Sequence, residues 1–265
     1  MAKLHLVALG SSFAAGPGIE PIINKAAVRS GRNYAHQLAD KLDAELTDLT
    51  ASGATLLNVM DTPQQTIVSK AVLRPQLEDF PANADIVTIT AGGNDIGYSG
   101  GMTVDSYLSY AGPLKWFINK YRGRPTTDVD ADELSRRFCA VIDRITSIAP
   151  TAKIYLVEYP AVFGDATTPG QDVPLTTEQV SYYRERAQVL NAGYAKAAAV
   201  RPGVDLVPVS KVSEGHEVGA AETWMFGFGF LMPYHGQAPY HPNLAGHTAV
   251  ADMLYERIKA SNHSV

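Results

Sequence analysis

The sequence has only one cysteine, Cys139, so no disulfide can form within the chain. This cysteine lies in a stretch with helical spacing of apolar residues, which favours a buried and unreactive thiol. A disulfide-stapled scaffold is therefore excluded.

Long hydrophobic runs are also missing. No stretch has the apolar length that crossing a bilayer requires. Residues 4–9 are too short for the apolar part of a signal peptide, include His5, and follow no basic stretch. The chain as it stands is expected to be cytoplasmic, or secreted if a leader has been removed ahead of residue 1.

Positive charge is scarce: 22 Lys and Arg stand against 27 Asp and Glu, a net charge of −5. The densest basic pairs, Arg122 with Arg124 and Arg136 with Arg137, are more typical of solvated surface charges. Binding to nucleic acid depends on clustered basic residues, so it is not expected.

Motifs for metals and cofactors are absent as well. The seven histidines show no ligand spacing, and His241 and His247 do not share a helical face in the way that two zinc ligands would. Neither a phosphate-binding loop nor a dinucleotide-binding glycine motif follows the first apolar run. We expect no metal and no cofactor.

Five short apolar runs are predicted to be strands, at 4–9, 45–49, 85–90, 153–158 and 204–209. The stretches between and after them have helical periodicity, with helices predicted from Asn33 to Leu42, and over 103–121, 130–149, 176–200 and 245–260. Alternating strands and helices predict a parallel sheet covered on both faces. No repeat or linker interrupts this pattern, so one domain, 1–265, is expected.

Ligands of such sheets bind at the carboxyl ends of the strands, which directs attention to three loops. The first loop contains Ser11 and Ser12 between Gly10 and Gly16, so that Ser12 is anchored by a buried strand yet accessible above it. The second contains Gly53, and the third reads Gly92-Gly93-Asn94-Asp95. An asparagine here can direct its amide N–H at a developing negative charge. Taken singly, each of these residues is more often a simple turn residue.

His241 precedes Pro242, so its backbone is biased away from helix and it is placed in a loop before the last helix. A general base in that loop could face the same cleft. His247 falls inside the helix that follows, where a packing or capping role is expected.

Four short motifs, taken together and in this order, resemble the four sequence blocks of the SGNH/GDSL hydrolase family. They are Gly-Ser-Ser, Gly53, Gly-Gly-Asn-Asp and His-Pro-Asn. The resemblance runs from Gly10 to His247 and implies a flavodoxin-like, three-layer α/β/α fold. It also implies a serine esterase with Ser12 as nucleophile and His241 as base. The implied oxyanion hole consists of the Ser12 and Gly53 N–H groups and the Asn94 side chain.

The sequence departs from the family pattern at two positions. Ser11 stands where the family usually has an aspartate. Ala238 stands where the family usually has the carboxylate three residues before the histidine. We therefore expect a Ser-His dyad in which a backbone carbonyl, that of Ala238 or a neighbour, orients the imidazole.

The sequence matches two alternative functions less well and leaves two others open. Ala14 replaces the second glycine of the nucleophile elbow of α/β-hydrolases. A flavodoxin-like binding protein without chemistry would not explain Ser12, Asn94 and His241 together. A carbohydrate acetylesterase or an acyltransferase could use the same residues and stays open.

Two segments are rich in large apolar residues and bear on the substrate. Residues 98–121, with Trp116, Phe117 and Tyr121, are as consistent with core packing as with a pocket. The glycine-interrupted segment 223–234 runs up to His241, and we expect its aromatic residues to line a substrate pocket: Trp224, Phe226, Phe228 and Phe230. A small, moderately hydrophobic ester is the predicted substrate.

Overall fold

The computed structural model describes residues 3–66, 70–112, 128–232 and 237–262. Within these ranges the strands are β1 (His5–Gly10), β2 (Ile22–Asn24), β3 (Arg29–Ser30), β4 (Glu45–Asp48), β5 (Gln64–Gln65), β6 (Val72–Leu73), β7 (Ile86–Thr90), β8 (Lys153–Val157) and β9 (Val204–Val207). The α-helices are α1 (Ser12–Ala15), α2 (Tyr34–Leu42), α3 (Leu56–Met60), α4 (Tyr98–Ser109), α5 (Ala131–Ile148), α6 (Thr177–Val200), α7 (Val209–Val212) and α8 (Leu244–Asn262). A short 3₁₀ turn spans Gln76–Glu78.

The centre of the molecule is a five-stranded sheet in the order β4-β1-β7-β8-β9. All neighbouring strands are parallel, and β1 pairs with β7 from Leu6 opposite Ile86 to Gly10 opposite Thr90. The predicted parallel α/β sheet of about five strands is confirmed. Two further sheets of two strands each, β2-β3 and β5-β6, are found among the described residues; they lie in the connections and were not predicted.

Alternate residues of the strands pack on opposite faces of the sheet, as the pleat requires. Val7 and Leu9 of β1 belong to the core that α5 and α6 cover, whereas Leu6 and Ala8 belong to the core under α2 and α8. The sheet is therefore the middle of three layers. β1 and β7 are buried along their whole lengths, and apart from His5, Thr88 and Thr90 their residues are apolar or glycine.

Polar caps begin the long helices where the sequence places them. The side chains of Asn33, Asp130 and Thr176 each accept a backbone N–H in the first turn of α2, α5 and α6. These bonds satisfy N–H groups that have no partner within the helix. Cys139 on α5 is a buried free thiol, as predicted.

The helix predicted over 103–121 was placed wrongly at its start. The chain turns through Asp95–Gly97, and α4 begins at Tyr98, because Tyr98 is buried against the core rather than exposed in a loop. The second half of the predicted helix, with Trp116, Phe117 and Tyr121, lies outside the described residues. So do Arg122 and Arg124.

Candidate active site

The loops after β1, β4 and β7 meet at the carboxyl edge of the sheet, joined by main-chain hydrogen bonds. The Ser11 N–H donates to the Thr90 carbonyl at 2.9 Å, and the Ala51 N–H donates to the Gly10 carbonyl at 3.0 Å. Neighbouring parallel strands place these loops side by side. Residues far apart in sequence are thereby held at the same edge of the sheet.

Ser12 is the first residue of α1 and is buried, with 5% of its surface exposed. Its Oγ lies 2.8 Å from Nε2 of His241, across 229 positions of sequence. The other ring nitrogen, Nδ1, lies 2.8 Å from the carbonyl oxygen of Pro239. A carbonyl can only accept, so Nδ1 carries the proton and Nε2 is free to accept the hydroxyl proton of Ser12.

A backbone carbonyl contacts His241 as predicted; it is that of Pro239, the neighbour of Ala238, and not that of Ala238 itself. The turn just before His241 explains why the carbonyl of Pro239, and not that of Ala238, reaches the imidazole. Tyr240 has a positive φ of 61°, and this turn brings the carbonyl two residues before the histidine, rather than three, to its ring.

The His241 side chain is half-buried and packs against an aromatic ring. The Phe13 ring lies 5.1 Å from it, centroid to centroid. Burial lowers the pKa of His241 from its ordinary 6.5 to about 4, and the hydrogen bond to Pro239 opposes this shift only in part. The titration near 6.5 that an unperturbed histidine would show is therefore not expected here.

A short antiparallel contact holds the histidine loop. The Phe226 N–H donates to the His241 carbonyl at 2.8 Å, and the Tyr240 N–H donates to the Phe226 carbonyl at 3.1 Å. On the other side of the histidine, the Asn243 N–H donates to the Trp224 carbonyl at 2.8 Å. Residues 224–226 thus form the backbone support of His241, a role that their sequence did not suggest.

Gly53 and Asn94 lie in the other two loops of the site. Gly53 has a φ of 88°, a conformation in which a side chain would be strained. The Asn94 amide donates one N–H to the Ala54 carbonyl at 2.9 Å. An amide NH₂ has two protons, so the second remains for a ligand. The Ser12 N–H is in the first turn of α1, where N–H groups have no acceptor inside the helix.

Asp95 also lies at this edge of the sheet. Asp95 accepts the Leu56 N–H at 2.9 Å and a guanidinium N–H of Arg137 at 2.8 Å. Burial raises the pKa of the Asp95 carboxyl, and its hydrogen bonds to Leu56 and Arg137 oppose that shift. Asp95 directly follows Gly-Gly-Asn in the sequence, and this position could have indicated that it belongs to the site. Nothing in the sequence links it to Arg137.

Tyr159 was also missed. It follows β8, is 4% exposed, and its hydroxyl forms a hydrogen bond with Ser11 Oγ. The only local signal was its position just after a buried strand.

The four predicted pocket aromatics lie in three different environments. The Trp224 ring stacks on His216 at 4.1 Å with an interplanar angle of 5°. Phe228 and Phe230 instead contact Tyr107 and Tyr110 of α4 at centroid distances of 5.1 to 6.1 Å. Phe226 contributes the backbone bonds to the histidine loop. Pro233 and Tyr234 lie outside the described residues.

Among the described residues, no group of three or more histidine, cysteine or acidic side chains could hold a metal ion. The same part of the chain has no helix long and apolar enough to traverse a lipid bilayer.

Comparison with known proteins identifies the family of this chain. The model of the GDSL-like lipase/acylhydrolase family matches residues 8–249. The chain belongs to this family. The matched range includes the loops of Ser12, Gly53 and Asn94 and the loop of His241. Like the family, the protein is a carboxylic ester hydrolase.

Three similar proteins from Streptomyces match nearly the whole chain. Lipase 2 of Streptomyces coelicolor is 30% identical over 263 residues, covering 94% of this chain and 84% of the relative. The crystal structure of phospholipase A1 from Streptomyces albidoflavus superimposes with a TM-score of 0.71 at 21% identity, covering 97% of this chain and all of that one. The extracellular lipase from Streptomyces rimosus gives a TM-score of 0.68 at 25% identity, with 94% and 98% coverage.

Proposed function

We propose that this ester hydrolase works through a covalent acyl-enzyme on Ser12, with His241 as its general acid and base. The observation that carries the proposal is the 2.8 Å contact between Ser12 Oγ and His241 Nε2. That distance is the reach that a nucleophile and its base require.

In the first half of the reaction, Nε2 takes the hydroxyl proton as Oγ attacks the ester carbonyl carbon. The tetrahedral intermediate collapses, His241 gives the proton to the departing alkoxide, and the acyl group stays on Ser12. In the second half, His241 deprotonates a water molecule that attacks the acyl-enzyme. Collapse releases the carboxylic acid and restores the serine hydroxyl.

The Pro239 carbonyl supports this dyad in place of a carboxylate. It fixes the tautomer that leaves Nε2 as acceptor and favours the imidazolium with a dipole rather than a full charge. Burial also disfavours the imidazolium, as the lowered pKa of His241 indicates. A base with so low a pKa has less driving force for proton removal, so stabilisation of the oxyanion must carry more of the catalysis.

The proposed oxyanion hole consists of the N–H groups of Ser12 and Gly53 and the Asn94 amide. The Asn94–Ala54 hydrogen bond supports it, because it orients the amide by one proton and leaves the other available. Three donors around one oxygen would stabilise the charge that develops as Oγ attacks.

We infer that the substrate is a small-molecule ester with a hydrophobic acyl chain. Phe228 and Phe230 form an aromatic cluster with Tyr107 and Tyr110, and this cluster continues into Tyr240, next to the histidine. Three similar proteins carry the name lipase or phospholipase, which supports the same substrate class.

A chain-length series tests the substrate: p-nitrophenyl acetate, butyrate, octanoate and laurate, with an acetylated xylo-oligosaccharide beside them. We expect kcat/KM to rise from acetate to octanoate, and Phe228→Ala to reduce octanoate hydrolysis more than acetate hydrolysis. Fastest turnover of the sugar acetate would contradict the substrate class while leaving the mechanism in place. Transfer of the acyl group to an added alcohol in preference to water would instead indicate an acyltransferase.

A further inference from the structure

We propose that Tyr159 is a positioning residue of this site: through its hydroxyl and its ring it sets the position of Ser12 relative to the loop that carries Asn94. The inference rests on the proposed acyl-enzyme mechanism. Its structural basis is that one buried side chain contacts both neighbours of Ser12 and the residue just before Asn94.

The first contact is with Ser11. The Tyr159 hydroxyl and Ser11 Oγ form a hydrogen bond, and both side chains are buried, with Ser11 fully inaccessible. A buried hydroxyl that loses its partner is costly, so each group depends on the other. Ser11 is also the position where the sequence departs from the family's usual aspartate.

The second contact is with Phe13, on the other side of Ser12. The rings of Phe13 and Tyr159 are stacked, with centroids 4.0 Å apart and planes inclined by 17°. Phe13 in turn lies 5.1 Å from the His241 ring. Tyr159 therefore contacts the residues on both sides of Ser12. It also supports Phe13, against which the His241 ring packs.

The third contact is with the loop of Asn94. A Cβ on Gly93 would come within 2.6 Å of Tyr159 Cε2, which shows how tightly the phenol ring packs on this backbone. Burial raises the pKa of Tyr159, while the Ser11 hydroxyl and the Gly93 N–H oppose that shift, so the phenol stays protonated. A neutral hydroxyl can donate or accept, as this bond requires.

Through these contacts Tyr159 packs between two parts of the site, the turn of Ser12 and the loop of Asn94. The distance between these two parts must stay fixed for catalysis. An oxyanion donor is effective when it lies within about 3 Å of the oxygen that gains the charge. Misplacement by about 1 Å can reduce the rate on the order of 100-fold. A residue that touches neither substrate nor reacting atoms can thus control turnover.

The test compares Tyr159→Phe, Ser11→Ala and the double variant, with Tyr155→Phe as control. Tyr155 is a buried tyrosine of β8 that bonds Ser261 on the opposite face of the sheet. We expect Tyr159→Phe to lower kcat by about 10-fold with KM nearly unchanged, because only the transition state uses the oxyanion geometry. Ser11→Ala should cause a similar loss, and the double variant should lose little more. Tyr155→Phe should retain its kcat.

A second readout separates positioning from stability. A trifluoromethyl ketone forms an oxyanion on the serine, so its affinity should fall with kcat in Tyr159→Phe. Unchanged kcat and inhibitor affinity in the folded variant, or strictly additive losses, would overturn the proposal. If Tyr159→Phe does not fold, Ser11→Ala decides by the same two measurements, since it removes the same bond. Full activity of Ser12→Ala would instead refute the underlying mechanism, an outcome distinct from failure of Tyr159→Phe alone.

Discussion

Arg137, in the second turn of α5, donates to the fully buried carboxylate of Asp95 at 2.8 Å, joining the helix to the loop that carries Asn94. The same carboxylate accepts the Leu56 N–H that begins α3. Asp95 therefore connects the loops after β4 and β7 from behind the site. Its charge is matched by a guanidinium that is itself only 22% exposed.

Replacing Arg137 by methionine should destabilise the protein, because a buried carboxylate would be left without its counter-charge. We expect the free energy of unfolding to fall by about 2 kcal/mol, less than for a fully buried pair because Arg137 is partly solvated. Arg136→Met is the matched control, since Arg136 is 75% exposed and its ion pair with Glu133 should contribute little. Urea unfolding of both variants measures the difference. Equal stabilities would refute this role of Arg137.

The pH dependence of turnover should follow the lowered pKa of His241. A base must be neutral to accept the serine proton, and with a pKa of about 4 the imidazole stays neutral well below pH 6. We expect kcat/KM to be nearly flat from pH 7 to pH 5 and to fall with a midpoint near the pKa of His241. Initial rates at each pH, followed by return to pH 7 to check for unfolding, provide the profile. A midpoint near 6.5 would show that the imidazole is not desolvated.

Stability should decrease in mild acid because of His247, whose Nδ1 accepts the Tyr34 N–H at 3.0 Å. Burial first, and the nearby His241 second, lower the pKa of His247 to about 3. Stability is complete above the unfolded value of 6.5. It is lost as pH falls towards the folded value, because only the unfolded chain takes up the proton in this range.

This histidine alone should cost about 2 kcal/mol between pH 7 and pH 5. His247→Asn, which retains an acceptor for the Tyr34 N–H, should reduce the pH 7 to pH 5 loss by that amount in urea unfolding. The same loss in both proteins would exclude His247 as its source.

Asn94→Ala should remove one oxyanion donor and lower kcat on the order of 10²- to 10³-fold with a small change in KM. The Asn94 amide also bonds Ala54, so unfolding measurements must accompany the kinetics. Asn83, exposed in the turn before β7, provides a control whose replacement by alanine should leave kcat unchanged. A loss of less than about 10-fold would place Asn94 outside the oxyanion hole.

The sequence was sufficient to predict the sheet and the loops of the site because both depend on local signals. The five strands are short apolar runs, and glycine-containing turns after β1 and β7 mark where the chain turns at the edge of the sheet. The contacts that complete the site are not local. Asp95 with Arg137, and Ser11 with Tyr159, pair residues that only the folded topology brings together.

Two details of the His241 site could not be derived from the sequence, and both depend on the folded surroundings. The carbonyl partner is Pro239 rather than Ala238, because a single positive φ at Tyr240 decides which carbonyl reaches the ring. The lowered pKa of His241 depends on how completely neighbouring segments exclude water. Neither a backbone angle of one residue nor the desolvation of one ring follows from residue types and spacing alone.

Covalent labelling of the nucleophile tests the central claim most directly. A fluorophosphonate should add one phosphonyl group per chain, and mass spectrometry of the digested protein should locate it on Ser12, with loss of ester hydrolysis in step with labelling. Ser12→Ala should be neither labelled nor active, whereas Ser147→Ala, at an exposed position of α5, should behave as the parent protein. Labelling at another residue, or undiminished hydrolysis by Ser12→Ala, would contradict the account.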